Sequence, residues 1–318
     1  SDVLHLKEVE KPVPRDNEVL VKVCASSIND WDWALLRGKP FMSRLLFGFL
    51  KPKKVKILGA DIAGRVEAVG RKVMQFKPDD EVFGDLSGCG FGGFAEYVCT
   101  RESALVLKPA SLTFEEAAAV PQGGILALQG LHAKGSLQPG QRILINGAGG
   151  GAGTFAVQIA KYIGAEVTGV DSTIKLDIMR SVGADHVIDY TQEDFTKMGR
   201  LYDRILDFAA YHSVFDYKRA LSPNGIYVIA GGSTGRILQI ACLGILISMI
   251  TSKKMGFLLH KQNKGLDFMN DLLETGKVKP VIDKVYPLEE VSEAMRYFGE
   301  GLARGKVVIT LEDSNIDR

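Results

Sequence analysis

The stretch from Gln141 to Tyr190 constrains this chain more than any other. An apolar run, Ile143 to Ile145, ends in glycines at 147, 149, 150, 151 and 153, and Thr154 to Ile163 follows with apolar residues at helical spacing. That order reads as strand, tight turn and helix. Both Gly147-x-x-Gly150-x-x-Gly153 and Ala148-x-Gly150-x-x-Gly153 can be read from the same residues. Absent side chains at Gly147, Gly150, Gly151 and Gly153, with the small Ala152 and Thr154 beside them, permit a sharp turn and a helix close to the sheet. A pyrophosphate can then approach the main chain, where N–H groups at the helix start face its charge. A glycine turn made only for packing is the competing reading. The context favours nucleotide binding. Gly164 closes the helix, Glu166 to Val170 forms a second strand, and Asp171 ends it 18 residues beyond Gly153, where a ribose-binding acid is expected. A third strand, His186 to Asp189, follows a second helix, so the unit is βαβαβ.

At 318 residues the chain is long enough for two domains. Its formal charge is +1, from 39 basic and 38 acidic residues spread along the sequence, so no nucleic-acid partner is expected. Cys24, Cys89, Cys99 and Cys242 lie far apart and form no CxxC pair, which fits a reducing compartment without a disulfide framework. Ser1 to Pro12 alternates charged and apolar residues, unlike a secretory signal. The longest apolar run, Ile237 to Ile250, has 14 residues and is too short to span a bilayer. The expected setting is cytoplasmic.

Residues 18 to 28 read as a strand, Val55 to Gly70 as further strand punctuated by glycines, and Phe83 to Gly84 and Gly93 to Val98 as short β segments. The front is therefore expected to be all-β. Thr113 with Glu116 forms a capping box that starts a helix, Pro121, Gly123 and Gly124 interrupt it, and a second helical pattern leads to the strand at Ile143. After Tyr190 come strand (Tyr202 to Asp207), helix (Val214 to Leu221), a Pro223-Asn224-Gly225 turn and strand (Ile226 to Ala230), the alternation of a doubly wound parallel sheet. Helices at Leu266 to Thr275 and Glu289 to Phe298 precede a last strand, Lys306 to Leu311. No repeat or low-complexity segment is present. The expected division is a front domain, 1–121 completed by 263–318, and a dinucleotide-binding domain, 122–262.

Seven segments in this order resemble the medium-chain dehydrogenase/reductase superfamily, in its zinc-free quinone oxidoreductase branch. They are EVLVKVCASSINDWD (18–32), ILGADIAGRVEAVG (57–70), DEVFGDLSG and GGFAEYV (80–98), FEEAAAVP (114–121), the glycine turn, SVGADHVIDY (181–190) and ARGKVVI (303–309). The resemblance implies a GroES-like β-barrel catalytic domain joined to a Rossmann domain. Members of the family usually begin with a further strand before the segment resembling Val3 to Val13, so Ser1 is not expected to be the natural start.

Zinc-dependent relatives carry Cys where Asn29 stands and His where Ala60 stands. Neither an amide nor a methyl group replaces thiolate or imidazole as a zinc ligand, so no metal is expected. The five histidines, His5, His132, His186, His212 and His260, are scattered and read as surface or packing residues. Without a Lewis acid, alcohol oxidation is difficult. Reduction of a quinone or an α,β-unsaturated carbonyl by nicotinamide-borne hydride needs only hydrogen bonds and a proton. The resemblance assigns Asn29 an amide hydrogen bond near the nicotinamide and Asp32 the support of its loop, against the plain alternative that both stabilise a turn. Asp61 reads as a structural carboxylate. Leu126 stands where many relatives have Thr and leaves that wall apolar. Phe41 to Leu50 and Ile237 to Ile250 read as pocket wall, dimer surface or, preferably, ordinary core.

Asp171 favours NADH, whereas Ser172, Thr173 and Lys175 resemble the Ser/Lys pair that holds the 2′-phosphate in NADPH-using relatives. If Asp171 points away from the ribose, NADPH wins, and NADP(H) is favoured. By resemblance Tyr190 packs against the adenine, and Gly231, just after a strand, joins the cofactor contacts. The expected partner is a small quinone or enone, and the expected assembly a homodimer. Two alternatives stay open: enoyl-thioester reduction, with Arg44, Lys51, Lys53 and Lys54 as a basic entry groove, and a low-turnover nucleotide-binding sensor or structural protein.

Overall fold

In the computed structural model, residues 4–38 and 55–311 are described. Phe41 to Leu50 and the basic residues Arg44, Lys51, Lys53 and Lys54, read above as pocket wall and entry groove, lie outside them. The chain divides into two compact units. One comprises 1–122, 262–274 and 280–318, and the other 123–261 with 275–279.

In the first unit β1 (Glu18–Ser27) is the organising strand, because nearly every residue from Val19 to Ser27 is buried. It pairs antiparallel with β2 (Asp61–Val69), β4 (Tyr97–Arg101) and β13 (Lys306–Thr310). The full order is β12-β13-β1-β2-β3-β5, with β3 at Glu81–Asp85, β5 at Val106–Leu107 and β12 at Ile282–Pro287. Val19, Val21, Val23, Ile62, Val66, Val82 and Leu86 fill its core. This is the all-β front of a GroES-like domain, closed by a strand from the far end of the chain. The register Ser27↔Val308 and the Ile28 N–H donating to Val307 O at 3.0 Å bring Lys306 beside the end of β1. Strand structure begins at Asp61 rather than Val55, because Gly59 adopts a left-handed φ of 94° and turns the chain. A Cβ there would lie 2.5 Å from Phe94 N, so only glycine fits.

In the second unit the sheet order is β11-β10-β9-β6-β7-β8, parallel throughout. Its strands are β6 (Arg142–Asn146), β7 (Glu166–Asp171), β8 (His186–Asp189), β9 (Tyr202–Asp207), β10 (Leu221–Ile229) and β11 (Lys254–Phe257). Outward from β6 on both sides, this is the doubly wound order of a Rossmann domain. Ile143, Leu144 and Ile145 of β6 and Ile205 and Leu206 of β9 are fully buried, as expected where helices cover both faces of a parallel sheet.

The helix that Thr113 starts ends at Ala118, so a break falls before Pro121 as expected, but Pro121, Gly123 and Gly124 belong to the next helix rather than to the gap. Pro121 opens that helix, Pro121–His132, at the position where a missing N–H costs nothing. A Cβ on Gly123 would lie 3.4 Å from Gly151 O and 3.5 Å from the Phe155 ring, an ordinary contact distance, so this helix packs beside the glycine turn without requiring glycine at 123. The apolar run Ile237 to Ile250 is only partly core. Ile240 and Ile247 are buried, while Leu238, Ile245, Leu246, Met249 and Ile250 are exposed.

Arg204, in the middle of β9, is 1% exposed. Its guanidinium donates to Gly130 O at 3.2 Å, to Ala133 O at 3.0 Å and to Gly135 O, collecting the carbonyls that the end of helix Pro121–His132 leaves unpaired. Burial lowers its pKa to about 10, so it stays charged at neutral pH. Arg204→Met is expected to destabilise the protein by about 2–4 kcal/mol, since the three carbonyls at this helix end, one of them buried, lose their donor. Chemical denaturation of variant and wild type measures the difference.

Candidate functional site

At the end of β6 the chain enters the glycine turn with Gly147 at φ 84°. Gly147 N and Ala148 N donate to Val170 O at 2.9 and 3.1 Å, which ties the turn to the end of β7. The helix Gly151–Ile163 starts from Gly150, whose N–H donates to Gly147 O at 3.2 Å. A Cβ on Gly153 would lie 2.0 Å from Gly147 O, so the approach of helix to turn exists only because that side chain is missing. Thr154 is fully buried, its hydroxyl donating to Gly151 O at 3.1 Å. The N–H groups of Gly151, Ala152 and Gly153, in the first helical turn, have no acceptor within the helix. Together they form a cradle fitted to a diphosphate.

Asp171 turns toward this cradle. Its Oδ2 accepts from Gly149 N at 3.0 Å and its Oδ1 from Ser172 N at 2.9 Å, with the Lys175 ammonium 3.8 Å from Oδ1. Both side chains are about nine-tenths buried. Lys175 lies across Gly149, where a Cβ would come within 2.6 Å of the lysine Cβ. Beyond β8, Tyr190 is half exposed and its ring centroid lies 5.3 Å from that of Tyr211. Gly231 follows β10, where a Cβ would meet Phe208 O at 2.5 Å. The structure therefore gathers Gly147, Gly150, Gly151, Ala152, Gly153, Thr154, Asp171, Ser172 and Lys175 around one turn.

Sequence reading missed Asp207 at the end of β9. This fully buried carboxylate accepts from Asn146 Nδ2 at 2.8 Å, Tyr227 OH at 2.8 Å, Ala209 N at 3.1 Å and Ala210 N at 2.7 Å. Burial raises its pKa against the pull of these donors. Asn146 immediately precedes Gly147, so Asp207 holds the root of the turn. An acid directly after the apolar pair Ile205-Leu206 at the end of a strand of a parallel sheet is the signal that could have found it.

In the first unit Asn29 and Asp32 come together with two residues that sequence reading had not joined to them. Asn29 precedes the helix Asp30–Arg37, and Asp32 Oδ2 accepts from Asn29 N at 3.0 Å while its Oδ1 accepts from Gly59 N at 2.9 Å. Asp32 thus holds the Asn29 and Gly59 segments together. Asn29 Oδ1 accepts from the Lys306 ammonium at 2.6 Å, and Asn29 Nδ2 lies 3.3 Å from Ser27 O. Lys306 also lies 3.7 Å from Asp61 Oδ2, which accepts from Gln122 N at 3.1 Å and from Ser27 Oγ at 3.4 Å. Asp32 and Asp61 are fully buried, Lys306 and Asn29 nearly so. Burial pushes both carboxyls up to about 7, and it lowers the lysine pKa against the pull of Asp61. Ala60 is buried beside them. Among the described residues no group of three or more His, Cys, Asp or Glu side chains is placed to hold a metal ion.

Family models agree with this geometry. An alcohol dehydrogenase GroES-like domain matches residues 15–110, and a zinc-binding dehydrogenase domain matches residues 182–309. A 2-methylene-furan-3-one reductase of Solanum lycopersicum is 34% identical, covering 97% of this chain and 76% of the relative. A chloroplast envelope quinone oxidoreductase homolog of Arabidopsis thaliana is 33% identical over 95% of this chain and 92% of its own. Among solved structures, the quinone oxidoreductase from Coxiella burnetii superposes with a TM-score of 0.85 at 27% identity, covering 98% of this chain and 96% of that one. The chain belongs to the medium-chain dehydrogenase/reductase superfamily, in the branch of the quinone oxidoreductases.

The raised pKa of Asp32 has a consequence for stability. Between about pH 4, where an ordinary Asp ionises, and about pH 7, the folded chain keeps a proton that the unfolded chain has released. This group's contribution to stability is therefore largest in acid and declines as pH rises through that window. Asp32→Asn is expected to flatten the pH dependence of unfolding there by up to about 1.4 kcal/mol per pH unit. Urea midpoints at pH 5, 6 and 7 test this.

Proposed function

We propose that the protein reduces quinones or α,β-unsaturated carbonyls with hydride from NADPH, without zinc. What supports the acceptor class is the kinship with enone and quinone reductases over nearly the whole chain, together with Asn29 and Ala60 at the two positions where the family resemblance puts metal ligands in zinc-dependent members. What supports NADPH over NADH is the direction of Asp171. An acid selecting NADH presents its oxygens to the ribose hydroxyls. Here both oxygens accept from backbone N–H groups of the turn, and Lys175 offsets the charge.

The residues fit the cofactor. Gly150 to Gly153 would hold the diphosphate through main-chain N–H groups, Ser172 and Lys175 would hold the 2′-phosphate, and Tyr190 would pack on the adenine, whereas the missing side chain of Gly231 serves close packing on Phe208 O rather than a cofactor contact. When bound, the nicotinamide supplies the hydride. Asn29 donates through its amide to the acceptor oxygen as negative charge grows there, and Asp32 keeps that loop in place. The acceptor is small and carries a conjugated carbonyl.

A homodimer in the cytoplasm completes the proposal. Five outward apolar side chains, Leu238, Ile245, Leu246, Met249 and Ile250, support an interface on the second unit, since an exposed patch of this size on a globular protein usually meets a partner. No helix among the described residues is long and apolar enough to cross a membrane.

The purified protein is expected to oxidise NADPH with 1,2-naphthoquinone or a simple alkenal, unaffected by EDTA, and to show a lower KM for NADPH than for NADH. Lys175→Glu should raise the NADPH KM at least tenfold, about 1.4 kcal/mol, while changing the NADH KM less than threefold. Turnover that depends on added zinc, or a preference for NADH, overturns the reading. Sedimentation should give twice the chain mass for the wild type and a shift toward monomer for Met249→Glu.

A further inference from the structure

We propose that Lys306 is a positioning residue for Asn29, fixing which way round its amide sits so that the nitrogen side, not the oxygen, is available to an acceptor. This rests on the reading of Asn29 as the donor to the acceptor oxygen.

An asparagine amide is nearly symmetric in shape and opposite in chemistry at its two ends, so some neighbour must choose between them. Lys306 has three donors and no acceptor. At 2.6 Å from the amide it tolerates only Oδ1, because turning the amide over would set Nδ2 against the ammonium with two donors facing each other. The same ammonium donates at 3.4 Å to Ile28 O, so it is braced by the backbone that carries Asn29. If the lysine were there only to neutralise a buried carboxylate, its shortest contact would be to Asp61. Instead Asp61 Oδ2 is 3.7 Å away, beyond hydrogen-bond range, and the amide oxygen takes the short bond.

A second effect acts in the same direction. An amide oxygen that accepts from a cation draws electron density from the nitrogen, and hydrogen bonds in a chain strengthen one another in a buried setting. The N–H of Asn29 is thereby a stronger donor than a solvated asparagine. Its backbone acceptor, Ser27 O, is 3.3 Å away, a long contact that an acceptor oxygen bearing negative charge would outcompete. Lys306 reaches this place by topology alone. It opens β13, 277 residues along the chain from Asn29, and the pairing of β13 with β1 sets its position.

Three variants decide the matter: Lys306→Met with Asp61→Asn, Asn29→Ala, and all three changes together. The first replaces a buried charge pair by neutral groups, so neither partner is left ionised and alone; Lys306→Leu with Asp61→Asn serves in its place if the Met form does not fold. Steady-state rates with NADPH and 1,2-naphthoquinone are read after circular dichroism confirms folding. The charge-pair variant is expected to lose at least tenfold in kcat with less than a twofold change in NADPH KM. The triple variant should be no slower than Asn29→Ala, because Lys306 acts through Asn29 and the two losses do not multiply. A folded charge-pair variant with undiminished kcat, beside a slow Asn29→Ala, overturns the role of Lys306 and leaves Asn29 standing. Multiplying losses also overturn it. An Asn29→Ala enzyme as fast as wild type overturns the reading of Asn29 itself.

Discussion

A parallel sheet ends, at the carboxyl tips of its strands, in a row of main-chain N–H groups that the ladder no longer satisfies, and the second unit depends on how two carboxylates meet them. Asp171 at the tip of β7 takes the N–H of Gly149 and of Ser172. Asp207 at the tip of β9 takes those of Ala209 and Ala210, and adds the side chains of Asn146 and Tyr227. Since Asn146 leads into Gly147, the two acids hold the glycine turn from either side. Unsatisfied buried N–H groups are costly enough that such partners are close to obligatory. The same bonding that shapes the turn also turns the Asp171 carboxylate inward. A requirement of main-chain hydrogen bonding thus carries over into which nicotinamide cofactor the protein is proposed to use.

In the first unit a comparable demand is met with charge. Asp32, Asp61 and Lys306 are withdrawn from water at the end of β1, where each costs desolvation unless neighbours compensate. Asp32 is compensated by two main-chain donors, Asp61 by Gln122 N, Ser27 and the nearby lysine, and Lys306 by Asn29, Ile28 O and Asp61. Groups drawn together this way resist movement, because any displacement leaves an uncompensated charge behind. Asn29 sits in the middle of that arrangement and inherits its rigidity, which is what the donor role proposed for it requires.

Where local pattern decides structure, it was legible. The capping box at Thr113 and Glu116 starts a helix in the chain as folded, and the segments read as strands at Ile143 and at Tyr202 to Asp207 are the central strands β6 and β9. β11 and β12 gave no warning, since KMGF and IDKVYP are short and lack clear alternation, and pairing with neighbours supplies what their own residues do not. Pro121 and Gly123 read as breakers, yet both belong to a helix. The proline stands at its first position, where a missing N–H costs nothing.

The amino-acid sequence alone made the two-part architecture, the glycine turn and the family legible, because each shows itself in short segments whose own residues lie close together and whose spacing and order are the signal. Tertiary structure alone decided that Lys306 meets Asn29, that Asp207 holds the root of the turn, and that the Asp171 carboxylate faces inward. Those pairings join residues tens to hundreds of positions apart. Their existence depends on strand order and register, which no local pattern encodes.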